Sequence, residues 1–407
     1  MESRTNTTNS RNAAGASLVV SSLLALVLAG CRAHDFPQYP ANYREYVYVT
    51  NGDSGTVTVL DVVNVRLDRE LPVGQNPVAV AASPTLNEVY VVNSGSADGL
   101  GSISVINAEN NRVVATISLH RQPVSIELDA AGKLAYVANS GSNSVSVVDL
   151  KSRREVAQIG AGEEPVAARL APDGKTLLVA NRRGNSLSVF DAASLKVRAV
   201  FSGCPGAGDP VILPDSSKAF VPCTTGHQVM SIALARPSQP ASQQTGVAAA
   251  TSATPDRMEA LMDVGRDPVD LALKPDGGEV FVINSLSDSI SEVITGWNDV
   301  QGAYMMGDDP VTGLVSRDNS LLYVCNLRSQ NVIVYAIDDG KRVGSVHVGD
   351  GPTAMAFSAA GHLLFVADAL SGDVAVVRTD SPSQFAFTLL PAGRSPNAIV
   401  DKAFKVQ

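Results

Sequence analysis

The residues able to do chemistry are few, and none stands at a recognised catalytic spacing. Glu127, Arg169 and Asp270 interrupt short runs of Val, Ala, Ile and Leu. A charge in such a run needs a partner or water. These three either line a polar pore or pocket, or form satisfied ion pairs, or sit in channel water. Cysteines stand at 31, 204, 223 and 325, and histidines at 34, 120, 227, 347 and 362. No Cys-x-x-Cys-His is present, so covalent haem is not expected, and no His or Cys pair has metal-site spacing. Gly-x-Ser-x-Gly and phosphate-loop motifs are also missing from the sequence. No catalytic residue, metal ligand or cofactor is assigned.

The elements that must position these residues announce themselves by repetition. Tyr48-Val49-Thr50-Asn51 returns as Tyr90-Val91-Val92-Asn93, Tyr136-Val137-Ala138-Asn139, Leu178-Val179-Ala180-Asn181, Phe220-Val221-Pro222-Cys223, Phe281-Val282-Ile283-Asn284, Tyr323-Val324-Cys325-Asn326 and Phe365-Val366-Ala367-Asp368. Most copies are 42 residues apart, and a fixed period of that size built on short strands marks a propeller or solenoid. The copy from Pro123 to Gly162 reads as four alternating strands separated by turn residues. Its turns follow a mechanism, as in Pro172-Asp173-Gly174-Lys175, where Asp bonds the backbone ahead and Gly takes positive φ. Copies are joined by Gly followed three residues later by Pro, as in Gly74/Pro77 and Gly162/Pro165.

These patterns predict an all-β fold, a β-propeller of four-stranded antiparallel blades. Eight second strands are countable. The first of them lacks a preceding inner strand, while Pro396 to Val400 has almost nothing after it. Pairing that carboxyl-terminal segment with the first copy would close the ring and leave no open edge. Eight blades are therefore expected, with seven as the alternative. Alternation places Ala79, Ser125, Ala167, Ile212, Asp270, Thr312, Ala354 and Ala398 toward the channel, two residues after each leading Pro. Glu127 and Arg169 lie four residues after theirs. Cys204 in the link into the fifth copy and Cys223 after its second strand emerge on one face. They can form a disulfide, worth roughly 3 kcal/mol in the loop-entropy picture, or remain two buried thiols. Cys325 reads as a small apolar core residue.

Tyr-Val-x-Asn, together with Gly-x-x-Pro and Pro-Asp-Gly-Lys, resembles the YVTN-type β-propeller repeat family from Tyr46 to the carboxyl end. Cys223 and Asp368 depart from the motif at its Asn. The resemblance implies a rigid ring with variable loops, and without a catalytic motif the expected function is a binding or protein-interaction scaffold. The partner would be an envelope protein or a small ligand. Propellers similar to this one also include lactonase-like hydrolases and cofactor-dependent oxidoreductases, so an enzyme is the alternative. A haem d1-type binding protein is a third, with His120 and His227 on the link face as candidate ligands.

The amino terminus reads as a processing segment. Residues 1–30 carry Arg4 and Arg11 ahead of an apolar stretch from Ala16 to Leu28, which has the order of a signal peptide. Leu28-Ala29-Gly30-Cys31 resembles a bacterial lipobox, which implies lipid on Cys31 and attachment to the membrane through it. Arg32 then favours the outer membrane in the familiar sorting pattern. Residues 31–45 read as a lipidated tether and 46–407 as one propeller domain, with a flexible insertion at about 236–256 rich in Ser, Gln, Ala, Thr and Pro. The chain carries a net charge of −9, which argues against non-specific nucleic-acid binding. It is expected to be a monomer.

Overall fold

The computed structural model describes residues 38–235, 254–380 and 386–406. The proposed signal peptide, Cys31 and nearly all of the insertion lie outside the described residues. Residues 38–43 belong to a small separate unit, in which Tyr43 N–H donates to Pro40 O at 2.9 Å and the Tyr39 and Tyr43 rings stack at 4.9 Å.

The remainder is a β-propeller of eight four-stranded antiparallel sheets. Blade 1 joins Tyr43–Asn51, Thr56–Asp61 and Arg66–Pro72 to the last strand, Pro396–Lys405, which takes the innermost place. Blades 2, 3 and 4 begin at Pro77, Pro123 and Pro165, and blades 6, 7 and 8 at Pro268, Pro310 and Pro352. Blade 5 has a two-residue inner strand, Val211–Ile212. Inner strands start with Pro because that position gives up no ladder hydrogen bond. The core lies between blades, not within them: Tyr136, Ala138 and Val145 of blade 3 pack on Ala168, Leu177 and Phe190 of blade 4. Second and third strands are buried on both sides, which accounts for their unbroken apolar runs.

The repeated Asn has a definite task. Asn93 Nδ2 donates to Ser102 Oγ at 3.1 Å and Ser104 Oγ at 3.0 Å, while its Oδ1 accepts from Gly74 N–H at 3.0 Å. Asn181 repeats this with Ser186, Ser188 and Gly162. Asn93, Asn181 and Asn326 thus sew their own blades to the incoming link, whereas Asn51, Asn139 and Asn284 use only their Nδ2. The link needs glycine because a Cβ on Gly74 would stand 2.6 Å from Asn93 Cγ. The residue ahead of each inner strand is left-handed, as at Asn76, Glu164 and Asp309. Its carbonyl accepts a backbone N–H from the loop after the second strand.

Blade 5 departs from the expected register. Pro210 does not hold the place of the other leading prolines. Pro123 and Pro165 stand thirteen residues ahead of Tyr136 and Leu178, and it is Ala207 that stands thirteen ahead of Phe220. Ala207 bridges Cys223 just as Pro165 pairs with Asn181, and left-handed Gly206 precedes it. Asp209, not Ile212, is therefore the channel-facing residue of this blade. Cys204 and Cys223 consequently occupy the Gly and Asn places of the link. Their sulfurs are bonded, at 2.09 Å, so a covalent bond replaces the amide stitch used elsewhere. The insertion departs between Gln228–Ala233 and Arg257–Asp263. Asp256 holds its neck, accepting from Ala235 N–H at 2.8 Å and from Arg198 Nη2 at 2.7 Å.

Candidate functional site

The inner strands carry a polar arc across blades 3 to 7. Residues two and four places into each inner strand face the following blade, so a long side chain there reaches its neighbour across the channel wall. Arg169 lies between two acids. Its Nη1 donates to Glu127 Oε2 at 3.1 Å, its Nε to Asp209 Oδ1 at 2.7 Å, and its Nη2 to Asp209 Oδ2. This fork-to-fork pairing is the strong form of an Arg–carboxylate bond. Burial raises the Glu127 carboxyl above its ordinary range, against the pull of Arg169.

Asp270 continues the arc. Its Oδ2 accepts from Thr312 Oγ1 at 2.8 Å and from Gly313 N–H at 3.0 Å. Burial pushes its pKa up, opposed first by the Gly313 N–H and then by the Thr312 hydroxyl. Asp209 adds a small repulsion to Asp270, so the two lie within electrostatic reach of each other. Glu127, Arg169 and Asp270 therefore form one arc, but Asp270 is not an Arg169 partner. Asp209 is the member that the sequence reading missed. The thirteen-residue spacing to the aromatic of the second strand was the signal that could have found it.

The far wall is built differently. Ala354, Ala398 and Ala79 occupy the matching positions, and Asn397 Nδ2 donates to Pro77 O at 3.0 Å while Thr50 Oγ1 donates to Asn397 Oδ1 at 2.6 Å. The channel thus has a charged side and a small-residue side. A cleft of about 270 Å³ opens beside Asp209 on the link face, lined by Val166, Arg182, Gly208, Thr224, Thr225 and Val269. It is the candidate mouth of the site.

The histidines stand apart from this arc. His120 Nε2 lies 3.2 Å from Glu155 Oε1, and His227 Nδ1 accepts from Asp267 N–H at 3.1 Å. Among the described residues, no group of three or more His, Cys, Asp or Glu could hold a metal ion. Cys325 is buried opposite Thr312, and burial pushes its thiol well up, which makes it unreactive.

Arg169→Met should leave Glu127 and Asp209 facing each other without a cation. Breaking a buried pair costs about 3–5 kcal/mol. Water at Asp209, 45% exposed, reduces this to about 2 kcal/mol. Thermal unfolding should show the loss, and adding Glu127→Gln and Asp209→Asn should recover most of it. An unchanged midpoint for the single variant would mean that the pairing does not hold the blades.

Residues 309–392, which are blades 7 and 8, match a family model described as lactonase, 7-bladed beta-propeller. No curated protein matches the chain. Several solved structures align over most of it. A dihydro-heme d1 dehydrogenase NirN, in complex with DHE, is 15% identical, with 90% of this chain and 76% of that one covered and a TM-score of 0.67. AztD from Citrobacter koseri is 14% identical, with 90% and 99% covered and a TM-score of 0.63. A putative 6-phosphogluconolactonase from Bacteroides uniformis is 15% identical, with 89% and 100% covered and a TM-score of 0.57. The likeness is one of fold. At such identities it carries no activity with it.

Proposed function

We propose that the protein is an exported propeller of the YVTN-repeat type, anchored to the outer membrane through lipid on Cys31, which binds an envelope protein or a small ligand without catalysing a reaction. The observation that carries this reading is the mutual pairing within the arc. Arg169 is taken up by Glu127 and Asp209, and Asp270 Oδ2 by Thr312 and Gly313. A general base or nucleophile has to reach a substrate with a free lone pair, and Asp209 spends both its oxygens on Arg169, while Glu127 and Asp270 each spend one on a neighbour in the arc. Such a ring is well suited to presenting loops rigidly on its link face.

A lactonase-like hydrolase is the second reading. The family-model match over blades 7 and 8 favours it, as does the likeness to the putative 6-phosphogluconolactonase. One assay separates the two. Purified protein is offered a series of sugar and acyl-homoserine lactones, and ring opening is followed by acid release. The scaffold reading expects the buffer rate throughout. Turnover that falls at least a hundredfold in Arg169→Met would establish the hydrolase instead. Anchoring is tested separately: Cys31→Ala should move the protein from the membrane fraction to the soluble one.

A further inference from the structure

The turn face, opposite the links, carries a cleft of about 560 Å³ between blades 3 and 4 that shares Glu127 with the channel arc. It exists because of what the turns lack. At the junction of blades 2 and 3, a Cβ on Gly132 would meet Thr85 Oγ1 at 2.4 Å, and at the junction of blades 5 and 6 one on Gly277 would meet Pro214 Cδ at 3.0 Å. Between blades 3 and 4 the corresponding turn residues are Ala130 and Ala131, and a Cβ on Gly174 would meet nothing within 4 Å. Ala192 and Ala193 keep the blade 4 side equally low. The remaining wall is Leu128, Leu134, Leu170 and Pro172, with the carboxylates of Asp129 and Asp173 on the two turns.

At the inner end of this apolar cleft stand Glu127 and Tyr136. They are cross-strand partners in register, so both side chains lie on the face turned toward blade 4. No other inner strand sets a carboxylate opposite its second-strand aromatic: the equivalent pairs are Ala81 with Tyr90, Ala272 with Phe281 and Ala356 with Phe365. Arg169 engages only Glu127 Oε2. Among the described residues, Oε1 takes no hydrogen bond from the protein. Lys175, on the blade 4 turn, stands 3.9 Å from Asp173. The cleft therefore offers apolar walls, a phenol oxygen, the free oxygen of Glu127 and the turn carboxylates Asp129 and Asp173, each of which already accepts a backbone N–H.

We infer that the cleft between blades 3 and 4 is a binding site for a small organic ammonium ion with an apolar body, the ammonium meeting Glu127 Oε1 and Tyr136 Oη and the body resting on Leu134, Leu170 and Pro172. A half-buried carboxylate against apolar walls discriminates by charge, because a neutral or anionic ligand desolvates Glu127 Oε1, which Arg169 does not reach, without supplying a charged donor. The volume falls in the usual range for small-molecule sites. This site asks nothing of the link loops invoked in the scaffold reading, and shares with the arc only Glu127, whose Oε2 stays on Arg169.

Calorimetric titration of the full-length protein with 2-phenylethylamine, 2-phenylethanol and phenylacetate tests it. The amine should bind at least tenfold more tightly than the alcohol, and phenylacetate should not bind. Glu127→Gln should erase the preference for the amine. Ala193→Trp, which fills the cleft from an exposed turn and leaves Arg169 untouched, should weaken the amine at least tenfold. Equal affinity for amine and alcohol would overturn the inference, as would the absence of amine binding. Amine affinity unchanged in Ala193→Trp would also overturn it, by placing the ammonium elsewhere on the acidic surface.

Discussion

A chain ending after Gly393 is expected to lose its cooperative unfolding transition. The missing segment, Pro396–Lys405, supplies the innermost strand of blade 1. It also touches both neighbouring blades: Lys402 Nζ donates to Ser83 O at 2.6 Å and Thr353 Oγ1 donates to Pro396 O at 3.1 Å. Ile399 packs with Phe365 and Ala367 of blade 8, and Val400 and Phe404 pack with Val89 and Val91 of blade 2. Three partly buried apolar side chains contribute about 5 kcal/mol, and the ladder bonds about 1 kcal/mol each. Their sum is comparable with the whole stability of a typical domain, about 5–15 kcal/mol. The truncated chain would also expose the edge of Tyr43–Asn51. Circular dichroism on heating should show a broad, shallow loss of β signal, and size exclusion should show aggregates. A sharp transition near the wild-type midpoint would mean that the ring does not depend on this closure.

The architecture was legible because a propeller repeats its physics. One strand pattern, one turn and one link recur with the same spacing, so the reading at Tyr136 was corrected or supported by seven others. The incomplete first copy even required the carboxyl-terminal strand to return. Blade 5 shows where such reading stops. Three changes coincide there: Cys204 takes the place of Gly, Ala207 that of Pro, and Cys223 that of Asn. Pro210 then offers a false anchor three residues too late, and the channel-facing carboxylate of Asp209 passes for link. The cysteines are legible as a pair, but not as the substitute for the Asn stitch, which depends on the bond that Asn93, Asn181 and Asn326 accept from their link glycines. Ligand chemistry was less legible still. The cleft beside Glu127 is made by alanines and a glycine, and small residues send no signal until the neighbouring turns can be compared.

Asp368→Asn is expected to stabilise the protein, by an amount that grows with pH. Asp368 takes the Asn place in blade 8 and is fully buried. In blades 1 to 4 and 6 the Asn at this place donates to hydroxyls on the third strand, but in blade 8 that strand begins with Asp373. A carboxylate cannot donate to a carboxylate, so the pair holds together only with a shared proton. Burial and the bond to Asp373 raise Asp368 from its ordinary value to about 8, although the N–H groups of Gly349 and Ala375 oppose the rise. The folded state thus keeps a proton that the unfolded chain releases near pH 4. The stability this group contributes is fully present below about pH 4 and is lost as pH rises to about 8. An amide at this position donates to Asp373 permanently and can accept from Gly349 N–H as Asn93, Asn181 and Asn326 do from their link glycines, with no proton to lose. The difference should be small near pH 4.5 and approach a plateau above pH 8 of about 3 kcal/mol, allowing for a proton shared between two groups. In a chain of this size that corresponds to a midpoint gap of roughly 5 °C. Paired melts of the two proteins at half-unit steps from pH 4.5 to 9 read the gap directly. A constant gap across that range would place the buried proton elsewhere, and a gap that narrows as pH rises would reverse the assignment.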